Sequence, residues 1–193
     1  MKKVCGILLI IAMTAALCAC GKKDSTEPFQ KLRHAEITIK NYGTIKLELD
    51  EGTAPITVAN FIDLASQGFY DGLTFHRIID GFMIQGGAAN ASSKITPKTI
   101  KGEFSANGVN NPIEHVEGVI SMARAKDMNS ASSQFFIMVG DAPHLDGNYA
   151  AFGRVTEGLD IAKKIAKDAK PTDNNGTIPA DQQPVIEKIV ITD

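Results

Sequence analysis

Apolar and polar residues alternate with a period of two along the first part of the chain that follows residue 34, a pattern typical of half-buried β-strands. Two such runs are present, one at residues 37–39 and one at residues 45–49. The tripeptide Asn-Tyr-Gly at residues 41–43 separates them and is typical of a turn. The pattern therefore predicts a β-hairpin at the start of a domain that spans residues 35–193.

Two longer segments have the spacing of apolar positions that is typical of amphipathic helices. The first begins at Pro55, because a proline in the first helical turn loses no hydrogen bond, and it ends before Gly68. The second follows Thr156, whose hydroxyl is suited to capping a helix N-terminus. The predicted buried stripe of this second helix consists of Leu159, Ala162 and Ile165.

Short apolar runs between turn residues predict six further strands. The dipeptide Asp80-Gly81 marks a tight turn between the first two of them. These six strands are predicted at residues 74–79, 82–86, 119–123, 134–139, 150–155 and 184–192. With the hairpin they favour a mostly β fold, a closed antiparallel barrel of eight strands capped by two α-helices, since closure removes exposed sheet edges. A β-sandwich with added helices fits the same pattern.

The N-terminus has a different pattern, with a short positively charged start and then an almost unbroken apolar run at residues 4–17. This run has about the length of the apolar core of a signal peptide. The tetrapeptide Leu-Cys-Ala-Cys at residues 17–20 resembles a bacterial lipobox, in which a small residue precedes a cysteine that becomes lipidated and is N-terminal after cleavage. We therefore predict a lipoprotein signal peptide at residues 1–19 and lipidation of Cys20. The alternatives are an ordinary cleaved signal and an uncleaved anchor helix.

Residues 20–34 are predicted to be the lipidated N-terminus and a flexible tether, because polar and charged residues dominate after Cys20. One acyl chain binds a membrane weakly, whereas several chains on one cysteine hold firmly. We therefore expect a protein attached to the cell membrane by a lipid anchor, with its domain on the extracytoplasmic face.

Composition excludes several classes of function. All three cysteines lie within the first 20 residues, so the domain has no disulfide framework and no thiol nucleophile. The formal net charge of −2 provides no basic field for nucleic acid. The four histidines have no metal-ligand spacing, and Ser132-Ser133 lacks evident base and acid partners for acyl transfer. We therefore predict neither a metal site nor a cofactor.

The most specific motif lies at residues 75–87, with the sequence Phe-His-Arg-Ile-Ile-Asp-Gly-Phe-Met-Ile-Gln-Gly-Gly. It closely resembles the signature of the cyclophilins. Four later segments match further landmarks of that family in the right order: Gly118–Ala123, Ser132–Ile137, Leu145–Gly147 and Ala151–Val155. The resemblance covers about residues 36–192. It implies a cyclophilin-like β-barrel, peptidyl-prolyl cis–trans isomerase activity that assists protein folding, proline-containing polypeptides as partners, no cofactor and a monomer.

The residue types in this motif suit the rotation of a prolyl amide. The partial double bond gives a barrier of about 18–20 kcal/mol, and no covalent bond has to break. When the amide twists, its nitrogen lone pair becomes available to a fixed hydrogen-bond donor, and this interaction exists mainly in the transition state. The resemblance assigns the donor role to Arg77, whose guanidinium is permanently charged and rigid, and it implies Phe82 and Gln85 as further catalytic residues.

The resemblance also implies the residues that bind the substrate. Met83, Phe136 and Leu145 join Phe82 in the proline pocket, since aromatic and thioether groups suit a ring without polar atoms. Gln134, together with Gln85, is implied to bind the peptide backbone and to support the arginine. His76 is placed beside the groove, where a structural role is an equal alternative.

Four further positions around this centre are expected to affect specificity. Ala123 and Arg124 stand where the family usually has Ala-Asn, a segment that pairs with the peptide through its backbone. We expect Arg124 to spare catalysis and to alter what is bound beside the proline. His144 and Tyr149 stand where many eukaryotic members have Trp and His, so the resemblance does not extend to strong binding of the inhibitor cyclosporin.

The sequence as a whole predicts an enzyme that isomerises X–Pro bonds in exported or surface polypeptides. The main alternative is a membrane-tethered peptide-binding module or chaperone whose isomerase activity is incidental. The presence of Arg77 favours the enzyme. A ligand-binding lipoprotein that serves a transporter is a third reading, which the single small domain disfavours.

Overall fold

The computed structural model describes residue 29 and residues 31–193. The predicted signal peptide, the predicted lipidation site Cys20 and most of the predicted tether lie outside the described residues. No helix in the described part of the chain combines the length and the apolar character needed to cross a membrane.

The described chain forms eight β-strands and two α-helices. The strands are β1 Leu32–Ile39, β2 Gly43–Asp50, β3 Phe75–Ile79, β4 Met83–Gly86, β5 Val119–Met122, β6 Phe135–Met138, β7 Ala151–Glu157 and β8 Ile186–Ile191. The helices are α1 Pro55–Ser66 and α2 Leu159–Asp168. The prediction of a mostly β fold with eight antiparallel strands and two helices is confirmed.

All eight strands belong to one sheet, in the order β3-β4-β6-β5-β7-β2-β1-β8. The prediction of a closed barrel is wrong, because the edge strands β3 and β8 do not pair along their length. Their ends are joined by an isolated bridge between Thr74 and Val185 and a few backbone hydrogen bonds beside it, such as that from the Ile186 N–H to the Leu73 carbonyl at 2.8 Å. The outer edge of β3 pairs instead with a loop, in which the carbonyl of Gly176 accepts a hydrogen bond from the Ile78 N–H at 2.8 Å. The loop occupies the edge that a closing strand would need.

Alternation along the strands divides the apolar residues between the two faces of the curled sheet. In β6, Phe135 and Ile137 belong to the large core on the inner face, whereas Phe136 and Met138 belong to a smaller cluster on the outer face. In the inner core the ring of Phe61 from α1 meets Phe135 edge to face, with centroids 5.5 Å apart. Complete burial of one such side chain stabilises the fold by about 1.5–3 kcal/mol. The inner core therefore holds the sheet rigid, and the outer cluster is available to form a site.

The two helices begin in different ways. Helix α1 begins at Pro55, as predicted, and the carboxylate of Glu103 accepts hydrogen bonds from the N–H groups of its first turn, including that of Thr57 at 2.7 Å. The prediction that Thr156 caps α2 is wrong, because Thr156 lies within β7 and Gly158 occupies the N-cap position. Gly158 has a φ of 84°, and a Cβ there would lie 2.7 Å from the carbonyl oxygen of Thr44, so only glycine fits this turn.

The ordered domain begins before residue 35. Strand β1 begins at Leu32, which pairs with Asp50, so the last three residues of the predicted tether form part of the sheet. The ring of Phe29 lies 4.3 Å from the guanidinium carbon of Arg154, and its N–H donates to the carboxylate of Asp50. Phe29 thus attaches the entry of the chain to the body of the domain.

Candidate active site

The candidate site is built on the outer face of three neighbouring strands, where the register aligns three side chains. Arg77 on β3 is paired with Gln85 on β4, and Gln85 is paired with Phe136 on β6. The Asp80-Gly81 turn brings β3 alongside β4, as the sequence predicted. A guanidinium, an amide and an aromatic ring therefore stand in one row across the sheet.

This row opens into a pocket of about 190 Å³. Its lining consists of Arg77, Phe82, Met83, Gln85, Ala123, Arg124, Phe136, Leu145 and Tyr149. Each of these residues was singled out from the sequence as catalytic or substrate-binding. The floor is apolar, because Phe136 and Met83 are only 5% and 1% exposed. The pocket therefore combines a dry apolar floor with polar groups at its walls, which is typical of ligand sites.

Two larger cavities lie elsewhere. One, of about 560 Å³, lies between the end of α1 and residues 90–95 and has a mixed polar and apolar lining. The other, of about 360 Å³, lies beside Phe29 and Leu159. Neither is lined by any residue of the motif at 75–87, so the smaller pocket is the better candidate for the chemistry.

The guanidinium of Arg77 is held from two directions. Its Nε donates to the main-chain oxygen of Asn175 at 2.7 Å, and its Nη1 donates to Oε1 of Gln85 at 3.2 Å. The Nε2 of Gln85 donates in turn to Oε1 of Gln134 at 3.0 Å. Gln134 does not line the pocket but stands behind Gln85. This chain of amides fixes both the position and the orientation of the cation.

His76 and His144 also stand outside the lining of the pocket. His144 lies at its rim, with its ring centroid 5.8 Å from that of Phe82 and the two planes inclined by 32°. His76 is half-buried, and among the described residues its Nδ1 has no hydrogen-bond partner. Burial lowers the pKa of His76, an effect that the Arg77 charge reinforces, so its imidazole is neutral at neutral pH.

The wall opposite Arg77 is made of loops and is held by side chains. Tyr149 contacts the floor residue Phe136 edge to face, with centroids 6.0 Å apart. The guanidinium carbon of Arg124 lies 4.8 Å from the centroid of the Tyr149 ring, which is a cation–π contact. The Nε and Nη2 of Arg124 both donate to the carbonyl of Asn148, at 3.0 and 2.9 Å, and its Nη1 donates to the carbonyl of Ala125 at 2.9 Å. Arg124 therefore joins the two loops of this wall through its side chain.

A buried group beneath the pocket was not found from the sequence. His115 is 1% exposed and its ring stacks on Phe136, with centroids 6.0 Å apart and planes inclined by 19°. Its Nδ1 lies 2.9 Å from Oδ1 of Asp146, and its Nε2 lies 3.0 Å from Oγ of Ser121. Because a carboxylate only accepts hydrogen bonds, the proton is on Nδ1 and the serine hydroxyl donates to Nε2. Burial lowers the pKa of His115, although Asp146 acts in the opposite direction.

The sequence offered no signal for two of these contacts. His115 and Asp146 are 31 residues apart, and Arg77 and Asn175 are 98 residues apart. The role of Asn175 also could not be predicted from its residue type, because the contact is made by its main-chain carbonyl. Within the described residues, no group of three His, Cys, Asp or Glu side chains is arranged so that it could hold a metal ion.

Comparison with known proteins places the chain in a family. The sequence model described as cyclophilin type peptidyl-prolyl cis-trans isomerase matches residues 34–193. Peptidyl-prolyl cis-trans isomerase A of Dickeya dadantii is 38% identical over 168 residues, which are 83% of this chain and 82% of that protein. Peptidyl-prolyl cis-trans isomerase B of Bacillus subtilis is 47% identical over 123 residues, 63% of this chain and 82% of that protein.

A solved structure agrees with these sequence matches. The crystal structure of a cyclophilin type peptidyl-prolyl cis-trans isomerase of Cryptosporidium parvum, determined in the presence of the dipeptide Ala-Pro, superposes with a TM-score of 0.68 at 29% identity. The match covers 83% of this chain and 99% of that one. The chain therefore belongs to the cyclophilin-type peptidyl-prolyl cis–trans isomerases, and its domain is an isomerase of X–Pro bonds.

Proposed function

We propose that this protein isomerises X–Pro bonds in exported or surface polypeptides, with Arg77 as the residue that stabilises the twisted amide. The family supplies the reaction. The assignment of Arg77 depends on one observation, a guanidinium fixed by Asn175 and Gln85 at the wall of an apolar pocket.

Substrate binding begins with the proline ring. The ring has no polar atoms, so it lies on Phe136 and Met83, with Phe82 and Leu145 at its sides. The crystal of the Cryptosporidium relative with Ala-Pro supports this choice of ligand. Binding in the pocket holds the prolyl amide next to the wall that carries Arg77.

Catalysis follows from what happens to the amide nitrogen. As the C–N bond turns, the nitrogen lone pair leaves conjugation with the carbonyl and becomes a hydrogen-bond acceptor. A free N–H of the Arg77 guanidinium donates to it, and this bond forms only in the twisted state, so it lowers the barrier. Because Gln85 and Asn175 already hold the guanidinium, little reorganisation is needed at the moment of rotation. Each tenfold gain in rate requires about 1.4 kcal/mol of such stabilisation.

No proton is transferred in this mechanism, so activity is expected to vary little with pH near neutrality. His76, beside the motif arginine, is neutral in that range because its pKa is lowered by burial. A steep bell-shaped dependence of kcat/KM on pH between about 6 and 8 would contradict a mechanism without general acid or base catalysis.

The proposed place of action depends on the N-terminus. The apolar run, the lipobox-like tetrapeptide and the polar residues that follow support a lipid anchor at Cys20 and a tethered domain on the extracytoplasmic face of the membrane. The proposal of a monomer rests on the family resemblance. Replacing Cys20 by Ala should abolish incorporation of a labelled palmitate analogue. Incorporation of the label into the Cys20→Ala variant would overturn the assignment of the lipidated residue.

The catalytic proposal is tested by measuring cis–trans exchange in a proline-containing peptide. Arg77→Ala should lower kcat/KM by about two orders of magnitude, because the donor to the twisted amide is lost. Arg33→Ala removes a surface arginine of β1, whose exposed ion pairs with Glu51 and Asp193 contribute little, and serves as the control. Equal turnover by Arg77→Ala and wild type would refute the assignment of Arg77. Binding of the peptide without turnover by the wild type would favour the peptide-binding module instead.

A further inference from the structure

The walls of the proline pocket carry charge of a single sign. Two of the lining residues, Arg77 and Arg124, are arginines, and none is acidic. From this we infer that the pocket selects X–Pro segments with an acidic side chain next to the proline, and that Arg124 sets this preference. The inference rests on the proposed function and names the class of substrate for the same site.

Neither cation is neutralised by a carboxylate. None of the ion pairs among the described residues includes Arg77 or Arg124. Asp146 follows the lining residue Leu145, but its Oδ1 accepts from the backbone N–H of His115 at 2.7 Å and faces the ring Nδ1 of the same residue. A guanidinium stays protonated at every physiological pH, so both charges are permanent.

The charge of Arg124 is also fixed in space. Its three donor nitrogens bind the carbonyls of Asn148 and Ala125, and its guanidinium carbon lies 5.1 Å from the ring centroid of Phe104 and 4.8 Å from that of Tyr149. The carbonyls orient the cation but carry no net charge. A cation held in this way loses little conformational entropy when a ligand binds, and aromatic neighbours reduce its screening by water.

The sheet order places the two cations on opposite sides of the proline site. Phe136 lies on β6, which has β4 on one side and β5 on the other. Arg77 lies on β3, beyond β4, whereas Arg124 lies just after the end of β5. Adjacent strands are about 4.8 Å apart. A proline ring on Phe136 therefore presents its amide to Arg77, while the flanking residues of the peptide pass Arg124. A carboxylate there is attracted and an ammonium is repelled.

The preference is tested with exchange assays on peptides that differ only in the residue before the proline, as Glu, Gln or Lys. A second set varies the residue after the proline. For the wild type we expect kcat/KM to fall in the order Glu, Gln, Lys in at least one set, with about a fivefold difference between Glu and Lys for a partly exposed pair. The difference should shrink as ionic strength is raised, because salt screens the charge.

Three variants show whether Arg124 is the source of the preference. Arg124→Gln should remove the order of preference, whereas Arg124→Lys, which keeps the charge even if the wall loosens, should retain it. Lys126→Gln removes an exposed neighbouring cation that does not line the pocket and should leave the order unchanged. The Lys variant separates the loss of charge from damage to the wall.

Two results would overturn the inference. Equal kcat/KM for all wild-type peptides would refute the preference while leaving the isomerase activity in place. A wild-type preference that persists in Arg124→Gln would show that another group sets it. Absence of turnover with every peptide is a different result, because it would contradict the proposed function itself along with everything that rests on it.

Discussion

The two walls of the proline pocket are held in place by different kinds of bond. One wall carries Arg77 and Gln85 on β3 and β4, and its geometry is set by the backbone hydrogen bonds of the sheet. The other carries Arg124, Leu145 and Tyr149, and it consists of loops joined by side-chain hydrogen bonds and ring contacts. We call these the strand wall and the loop wall.

The difference suggests a division of labour. Backbone hydrogen bonds place Arg77 directly opposite Gln85, and the Gln85 side chain and the Asn175 carbonyl then orient the guanidinium. The loop wall depends on particular pairs such as Arg124 with Asn148 and His115 with Asp146. The strand wall is therefore suited to the reaction, and the loop wall to the choice of substrate. Variants of the first should change kcat, and variants of the second should change KM.

The largest effect is expected from Arg77→Lys. Lysine keeps the positive charge but has a single ammonium group, which cannot bind both Asn175 and Gln85 and still donate to the amide in a fixed direction. We expect kcat to fall by about tenfold to a hundredfold with little change in KM. Steady-state exchange kinetics measure both constants. Wild-type kcat in this variant would show that charge alone, without the rigid fork, stabilises the twisted amide.

The next largest effect on kcat is expected from Gly176, which lies in the loop whose Asn175 carbonyl binds Arg77. Gly176 has a φ of 86°, and a Cβ at this position would lie 2.6 Å from the carbonyl oxygen of Ile78. Gly176→Ala should therefore displace the loop and with it the Asn175 carbonyl that holds Arg77. We expect kcat to fall by about threefold to tenfold while KM is retained.

A matched glycine separates this effect from backbone strain in general. Gly108 has a similar φ of 74°, but a Cβ there would meet no atom within 4 Å. Gly108→Ala should thus cost a similar amount of conformational strain without moving Arg77. If both variants lowered kcat equally, the Asn175 contact would have no special role in positioning the arginine.

A smaller effect, on KM, is expected from the support of the loop wall. Asp146→Ala removes the acceptor for both the backbone N–H and the Nδ1 of His115, so the segment that carries Leu145 and Tyr149 should loosen. We expect KM to rise by about threefold with kcat retained, and the free energy of unfolding to fall by about 1–3 kcal/mol. Asp146→Asn keeps an acceptor oxygen, so its KM should stay close to that of the wild type. A fall in kcat alone would contradict the division between the walls.

The same contrast explains how much the sequence could predict. Strand positions and both helices followed from alternation and helical spacing, because period and local spacing record backbone geometry. The roles of Arg77 and Gln85 on the strand wall followed from the resemblance that one contiguous motif carries. The lining of the loop wall, Leu145 and Tyr149 among it, followed only from resemblance. The closed barrel was wrong because the edge of β3 is taken by a loop near Gly176, a pairing between distant segments that no local pattern records.

Side-chain supports were the least predictable part of the site. Arg124 was expected to act beside the bound peptide, and its contacts with Asn148, Phe104 and Tyr149 depend on loops that meet only in the folded chain. His115 had no acid partner at a short spacing, so its pairing with Asp146 could not be anticipated. Predictions for the described residues thus became weaker as the supporting contacts became more distant in sequence.

The smallest expected effect is a change in the free energy of unfolding with pH, and it concerns the loop wall. Burial lowers the pKa of His115, which lies beneath the loop wall, below its ordinary value of 6.5. Between that lowered pKa and about pH 6.5 the unfolded chain binds more protons than the folded chain. The contribution of His115 to the free energy of unfolding is therefore full above about pH 6.5 and is lost as the pH falls towards the folded-state pKa. His76 acts in the same direction, because burial lowers its pKa as well.

Urea unfolding at about pH 8 and about pH 5.5 measures this loss, and His115→Gln should show a shallower dependence on pH than the wild type. Over the same range kcat is expected to change little, because no group on the strand wall exchanges a proton during the rotation. A parallel fall of kcat and stability in the wild type would mean that the loop wall also governs the reaction. An unchanged kcat with falling stability would agree with a separation of the two walls, in which His115 stabilises the loop wall while Gln85 and Asn175 hold Arg77.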